Sequence, residues 1–280
     1  VIAVGGHESA HGAALPGLVG PGVASVACGR QLHRAVAAAL RDEAERVCVV
    51  PMTVGRDVAL IADTARTLRA LPPDQRARVV LSEPFGTTGH LIGWLRAAAS
   101  RVPVDAAALI VAPTGDAYDD AELFRVARLV WQYGRRRVVE VALIGGKPDP
   151  NEGVARCVAL GATRVVTLSA SFVAPDPPDA VPLLSVSAIA GVLRSRVHAA
   201  VERARSFADD GLAAALTAAD HHGTAHSHAD GHSHDHPQPR QDRHSHGHPH
   251  PHPDGGHDHA RPAAGDLVHS NLQMSPSPVS

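Results

Sequence analysis

Short β-branched runs alternate with Ala/Leu/Arg-rich stretches of helical length from the first residue to about residue 207, and this alternation constrains the fold more than any other feature. Val1–Val4, Val23–Ala27, Val47–Pro51, Arg78–Ser82, Ala108–Ala112, Val138–Ile144 and Arg164–Leu168 read as strands, with Leu183–Val186 a weaker candidate. Gln31–Ala44, Val58–Ala70, His90–Ser100, Asp119–Tyr133, Asn151–Leu160 and Ser187–Ala208 read as helices. The strand runs are continuously apolar, the pattern of strands buried on both faces. Strand–helix alternation at this spacing predicts an α/β fold, parallel sheets flanked by helices. Acids at Asp119-Asp120 and Pro150-Asn151-Glu152 stand where two of the helices open. Aromatics make up only 3% of the chain against 44% hydrophobic residues, so the core is built from Val, Leu, Ile and Ala.

The pattern repeats faintly. The segment from Gly29 through LHRAVAAALRDEAERVCVVP has a counterpart from Gly146 that includes NEGVARCVALGATRVVTLS. Each offers a glycine turn, an Ala/Val-rich helix, an arginine and a β-branched strand. Two similar α/β halves are therefore expected, residues 1–103 and 104–208. After about residue 208 the periodicity stops, although Leu212–Asp220 can extend a helix by a turn or two. Residues 209–280 are polar, Pro/Gly-rich and His-rich, and such a segment cannot bury enough apolar surface to offset its ordering entropy, so a disordered tail is expected.

A net charge of −2 gives no electrostatic reason to expect nucleic-acid or membrane partners. No stretch is long and apolar enough to span a bilayer. The chain opens directly on a strand-like run with no basic segment before it, so no export signal is expected. Cys28, Cys48 and Cys157 are widely spaced and odd in number, which reads as small buried residues in a reducing cytoplasm, not disulfides or an iron–sulfur site.

Histidine carries the chemistry. Of 20 histidines, 15 fall between His221 and His269. Repeated His-x-His with interspersed Asp places many imidazoles within reach of one another, and flexible tracts of this kind bind nickel, zinc, cobalt and copper with little selectivity. The metal-binding candidates there are His226, His228, His232, His234, His236, His244, His246, His248, His250, His252, His257 and His259. At the other end, Gly5-Gly6 turns the chain at the end of the first strand and presents His7 and Glu8. In parallel α/β sheets that carboxyl edge is where ligands bind. An imidazole there can hold a metal or accept a proton, and a neighbouring carboxylate can assist either task.

Taken in order, VIAVGGHES, RVCVVPMTVGRDVALIADTAR, EPFGTTGHLIGWL, DAYDDAELFRVARLVW and VVEVALIGGKPDPNEGVARCVALGATRVVTLSASFVAP resemble the sirohydrochlorin metal chelatases, the class II tetrapyrrole chelatases, over residues 1–205. The resemblance is to the long, two-repeat form of the family. It implies two chelatase-like halves, with a macrocycle in the cleft between them, into which cobalt, nickel or iron is inserted as substrate without a nucleotide, redox step or iron–sulfur cluster. Tetrapyrrole, divalent metal ions and enzymes of the cobalamin pathway are the partners it implies. His7 falls on the family's first metal histidine and is the expected metal ligand and proton acceptor, with Glu8 and Glu83 as assisting carboxylates. Arg56 and Asp57 are expected tetrapyrrole contacts, because guanidinium binds ring carboxylates bidentately. A solvated arginine at a helix start is the competing reading of Arg56, and a structural salt bridge that of Glu83.

The chain also departs from the family. The usual Ser-Arg pair after the first histidine is altered, and the second metal histidine falls on Ala59. The second half's counterpart of GGHES, VAPTGDAYDD, has no histidine. His90, at a helix start after another strand end, can substitute as a ligand, and so can a tail histidine; a cap or surface role is the alternative for His90. His11 lies four residues beyond His7, but Gly12 argues against a helical metal pair there, and His33 and His198 read as structural or exposed. A non-enzymatic metal store or metallochaperone built on a degenerate chelatase fold is the rival reading.

Overall fold

A computed structural model describes residues 1–42, 44–134, 138–174 and 180–218. The described residues belong to one compact unit. It is an α/β protein with two separate parallel sheets.

The first sheet has the order β2-β1-β3-β4, formed by β1 (Ile2–Gly5), β2 (Ala24–Ala27), β3 (Val47–Met52) and β4 (Val79–Leu81). The second has the order β6-β5-β7, formed by β5 (Ala106–Pro113), β6 (Val139–Ile144) and β7 (Arg164–Ser169). Every pairing is parallel. In each sheet the first strand of the set lies centrally, with the second on one side and the third on the other. The repeat seen in sequence falls on equivalent places: α1 (Arg30–Arg41) leads into β3, and α6 (Pro150–Ala159) leads into β7. Asp149 caps α6 by accepting from the Glu152 amide at 3.0 Å, so the helix opens where Pro150-Asn151-Glu152 placed it.

Period-two side-chain alternation divides the strands between cores. The even positions of β1 (Ile2, Val4) and the odd positions of β3 (Val47, Val49) pack with α1, α2 (Ala59–Arg69) and α8 (Leu212–Thr217). The opposite faces carry Ala3, Val50 and Met52. These share one continuous core with Ala108, Ile110 and Ala112 of the second sheet and with α4 (Thr88–Ala99), α5 (Ala117–Tyr133) and α7 (Val186–Phe207). The outer face of the second sheet (Ala107, Leu109, Val111, Ala142) packs with Cys157 of α6. Between α2 and β4 the chain also makes a single short helical turn, α3 (Pro73–Arg76).

Two expectations are corrected. Leu183–Val186 is not a strand. Ser185 accepts from the Ala188 amide at 3.2 Å and caps α7, so a hydroxyl cap wins over a short apolar run that follows Pro182. The bridge to β7 is made one turn earlier, by Val181 to Leu168. The second concerns the residues after 208. Ala208 and Gly211 have positive φ (54° and 79°) and turn the chain, so α8 does not prolong α7 but lies back on α2, burying Leu212 and Ala215. The carbonyl of Asp210 accepts from Leu81 N at 2.8 Å and closes the edge of β4. The expected tail beyond residue 218, with its candidate histidines, lies outside the described residues. Among the described residues, no helix is long and apolar enough to cross a membrane.

Candidate functional site

In the first sheet the order reverses between β1 and β3, with β2 beyond one and β4 beyond the other. Their carboxyl ends flank the switch point, where parallel sheets open a crevice. His7 follows β1, and Arg56 and Asp57 follow β3. From the second sheet, Gly115 in the loop after β5 and Asp119 and Asp120 in the first turn of α5 complete the group.

His7 opens a single 3-10 turn, His7–Ser9. Its Nδ1 lies 3.2 Å from Oδ2 of Asp57 and 3.6 Å from Oδ2 of Asp119. The same Asp57 oxygen accepts the His7 backbone N–H at 3.2 Å, and Oδ1 accepts Leu60 N at 3.1 Å, so Asp57 joins the His7 turn to the start of α2. The Nε2 atom lies 3.2 Å from Nη2 of Arg56. A guanidinium only donates, so in the neutral ring Nε2 is the acceptor and Nδ1 carries the proton, facing the carboxylates. Gly115 approaches the ring closely enough that a Cβ there would fall 2.9 Å from Nε2.

Glu8, although next in sequence, faces away from solvent at 0% exposure. One oxygen accepts the Thr53 hydroxyl and Val54 N, and the other accepts Arg56 N at 3.3 Å. It therefore organises the loop after β3 from within. Its own carbonyl accepts Phe172 N at 2.9 Å, tying the turn to the segment after β7.

Arg56 is only 1% exposed, which excludes the solvated reading. Its Nε donates to the Asp119 carbonyl at 3.3 Å and Nη2 to the Pro113 carbonyl at 3.0 Å, while the nearest Asp120 carboxylate oxygen is 3.7 Å from Nη2. Nη1 is buried and has no hydrogen-bond partner among the described residues.

The electrostatics are those of a buried, acid-rich cluster. Burial lowers the pKa of His7 and Arg56 opposes a second proton, but Asp57 and Glu8 outweigh both and the net shift is upward. Burial pushes Glu8 up against the pull of Arg56 and the Thr53 hydroxyl. Burial also works to raise Asp57, yet the His7 hydrogen bond and charge overcome it and hold that carboxyl low. Asp119 is pushed up to about 6, chiefly by burial.

Other expected site residues lie elsewhere. His90 is exposed; its Nδ1 accepts Thr87 N at 3.2 Å in a reciprocal cap of α4, and its ring stacks on Trp94 at 5.6 Å. Glu83 is exposed, and its carboxylate lies 2.7 Å from Arg196 of α7 in a salt bridge. Neither is brought to His7 by these contacts. Among the described residues, no group of three or more His, Cys, Asp or Glu side chains is arranged to hold a metal ion. Sequence reasoning missed Thr53, Gly115 and the site role of Asp119 and Asp120. The two acids were visible as helix-opening residues, and Asp119 does accept from Asp116 N at 3.4 Å, but nothing local joins them to His7.

Fold and site define an α/β protein with a His–Asp pair at a sheet switch point, sealed by an arginine. No protein-family profile matches the chain. A sirohydrochlorin cobaltochelatase of Priestia megaterium is 38% identical over 69 residues, which is 24% of this chain and 22% of that protein. The chain thus spans about a fifth of the length of the curated relative it matches.

Proposed function

We propose that the protein inserts a divalent metal, cobalt first and nickel or iron next, into sirohydrochlorin or a related tetrapyrrole. The observation that carries this reading is the placement of His7 at the carboxyl end of β1, its Nδ1 on Asp57 and its turn beside the switch point. The partial similarity to a cobaltochelatase supports it. Insertion requires a ligand that holds a first-row divalent metal and a base that takes one inner N–H proton of the ring, the second passing to solvent, as the metal–nitrogen bonds form. A neutral imidazole backed by a carboxylate serves both tasks. In this reading His7 does so, Asp57 orients it and stabilises its protonated form, and Glu8 positions the loop that bears Arg56. The second imidazole expected at Ala59 is absent, so in this reading His7 carries the metal contact alone among the described residues. The His-rich tail holds metal close to the site, where tethering raises its effective concentration.

The second reading is a metal store or carrier without insertion activity. Arg56 at Nε2 of His7 favours it. The deciding experiment is anaerobic absorbance of sirohydrochlorin with cobalt, using the full chain and His7→Ala against the uncatalysed rate. Acceleration that His7→Ala abolishes supports the chelatase. No acceleration, with metal bound by the full chain, supports the store.

A further inference from the structure

Resting on His7 as the metal ligand of the proposed reaction, the geometry points to Arg56 as an internal cation that occupies the metal's place at Nε2, so that metal reaches His7 only in exchange for the guanidinium.

The steric part is direct. A first-row metal sits about 2 Å from an imidazole nitrogen, and Nη2 of Arg56 already lies 3.2 Å from Nε2. Both cannot be accommodated on one lone pair. A guanidinium does not lose its proton in a protein, so the competition cannot be relieved by deprotonating Arg56.

The bonding of Arg56 shows why it is there. Buried arginines are ordinarily held by bidentate carboxylate pairs. Among the described residues Arg56 has none: two of its nitrogens donate to the carbonyls of Asp119 and Pro113, the nearest carboxylate oxygen is 3.7 Å away, and Nη1 has no partner despite burial. Those two carbonyls hold the guanidinium in place but do not explain why a cation is needed there. Charge does, because Glu8, Asp57, Asp119 and Asp120 gather around His7 and Arg56 with no other cationic side chain among their described polar contacts. Asp57 and Asp119 face the imidazole, Asp120 lies nearest the guanidinium and Glu8 holds the Arg56 backbone, so Arg56 supplies positive charge to an acid-rich cluster. The unpaired Nη1 marks it as a charge substitute and not a fitted partner.

The test reads His7 itself, in the full chain. Diethyl pyrocarbonate labelling is followed by mass spectrometry of the peptide that contains His7, with and without cobalt in molar excess over the 20 histidines. Wild type is compared with Arg56→Met and Arg56→Lys. We expect slow labelling of wild-type His7 that cobalt leaves unchanged. Arg56→Met is expected to label about tenfold faster or more, the factor matching loss of one charged hydrogen bond, and cobalt is expected to protect it. Arg56→Lys, which restores the charge but not the fork, is expected to return toward wild type.

Equal labelling of wild type and Arg56→Met overturns the masking role alone, leaving the chelatase reading intact where cobalt protects both. Faster labelling of Arg56→Met without cobalt protection overturns the masking role and the metal-ligand reading together. Cobalt protection of wild-type His7 in the absence of any substrate also overturns the proposal, and this arm needs no variant to fold.

Discussion

Gly6 and Asp57 are in such close contact that a Cβ on Gly6 would fall 1.8 Å from Oδ2 of Asp57, the oxygen that receives both the backbone N–H and the ring of His7. The constraint is steric and not conformational, since Gly6 has an ordinary φ of −111°. Gly6→Ala should push Asp57 off the imidazole. Denaturant unfolding should show a loss of about 2 kcal/mol, the usual cost of overpacking, and the upward shift of the His7 pKa should shrink when followed by NMR.

Glu8 accepts on both oxygens, from a hydroxyl and two backbone amides. Glu8→Gln turns one of those acceptors into a donor facing a donor and removes a negative charge from beside Arg56. The expected cost is about 3 kcal/mol, in the range for breaking one side of a buried charge cluster, measured as a fall in the denaturant midpoint. Glu83→Gln, at an exposed surface pair, should change stability by less than about 1 kcal/mol.

The Asp119 carboxyl, raised from 3.8 to about 6, gives a pH dependence of definite sign. Between those values the folded protein keeps a proton that the unfolded chain has lost, so this group's contribution to stability falls as pH rises through the window. Asp119→Asn should therefore match wild type below about pH 4 and exceed it above about pH 6, by up to about 3 kcal/mol. Thermal melts of the two proteins across pH 3.5 to 7.5, values chosen about the shift above, should diverge with increasing pH. A gap that closes with increasing pH would contradict the burial of this carboxyl.

A chain ending at Asp209 should be less stable than one ending at Ala218. The longer chain keeps α8, the buried Leu212 and the Asp210 carbonyl that receives Leu81 N. Burial of one leucine accounts for about 2 kcal/mol of the difference, and the orphaned amide at the edge of β4 adds to it. Comparing melting temperatures of the two chains checks this.

What the sequence made legible follows the range of the interactions. The strands and most helices were readable because an apolar run and its helix-opening residues are local, as with Pro150-Asn151-Glu152 at the start of α6. His7 and Glu8 were placed at a strand end because Gly5-Gly6 breaks an apolar run. The direction each faces was not readable, and neighbours in sequence proved to have different surroundings, His7 among charged groups and Glu8 wholly inside. Arg56 in a glycine-containing loop resembles any surface arginine. Its burial depends on carbonyls at Pro113 and Asp119, more than fifty residues further on. The helix-opening role of Asp119 concealed its second one, because a cap explains an acid at that position completely. Leu183–Val186 failed for the opposite reason: the local apolar run was real, but the Ser185 hydroxyl fixed a helix start inside it.

The core that takes in one face of each sheet, with α4, α5 and α7 among its members, has a consequence for how the molecule comes apart. Losing either sheet would bare the apolar sides of helices on which the other depends, so the two sheets should share their cooperativity and unfold in one transition, seen alike by Trp94 fluorescence and far-UV dichroism. For the same reason, swinging the sheets apart would wet that layer. Movements of the strand-end loops at Gly6 and Gly115, which are not members of that core, are the less costly kind.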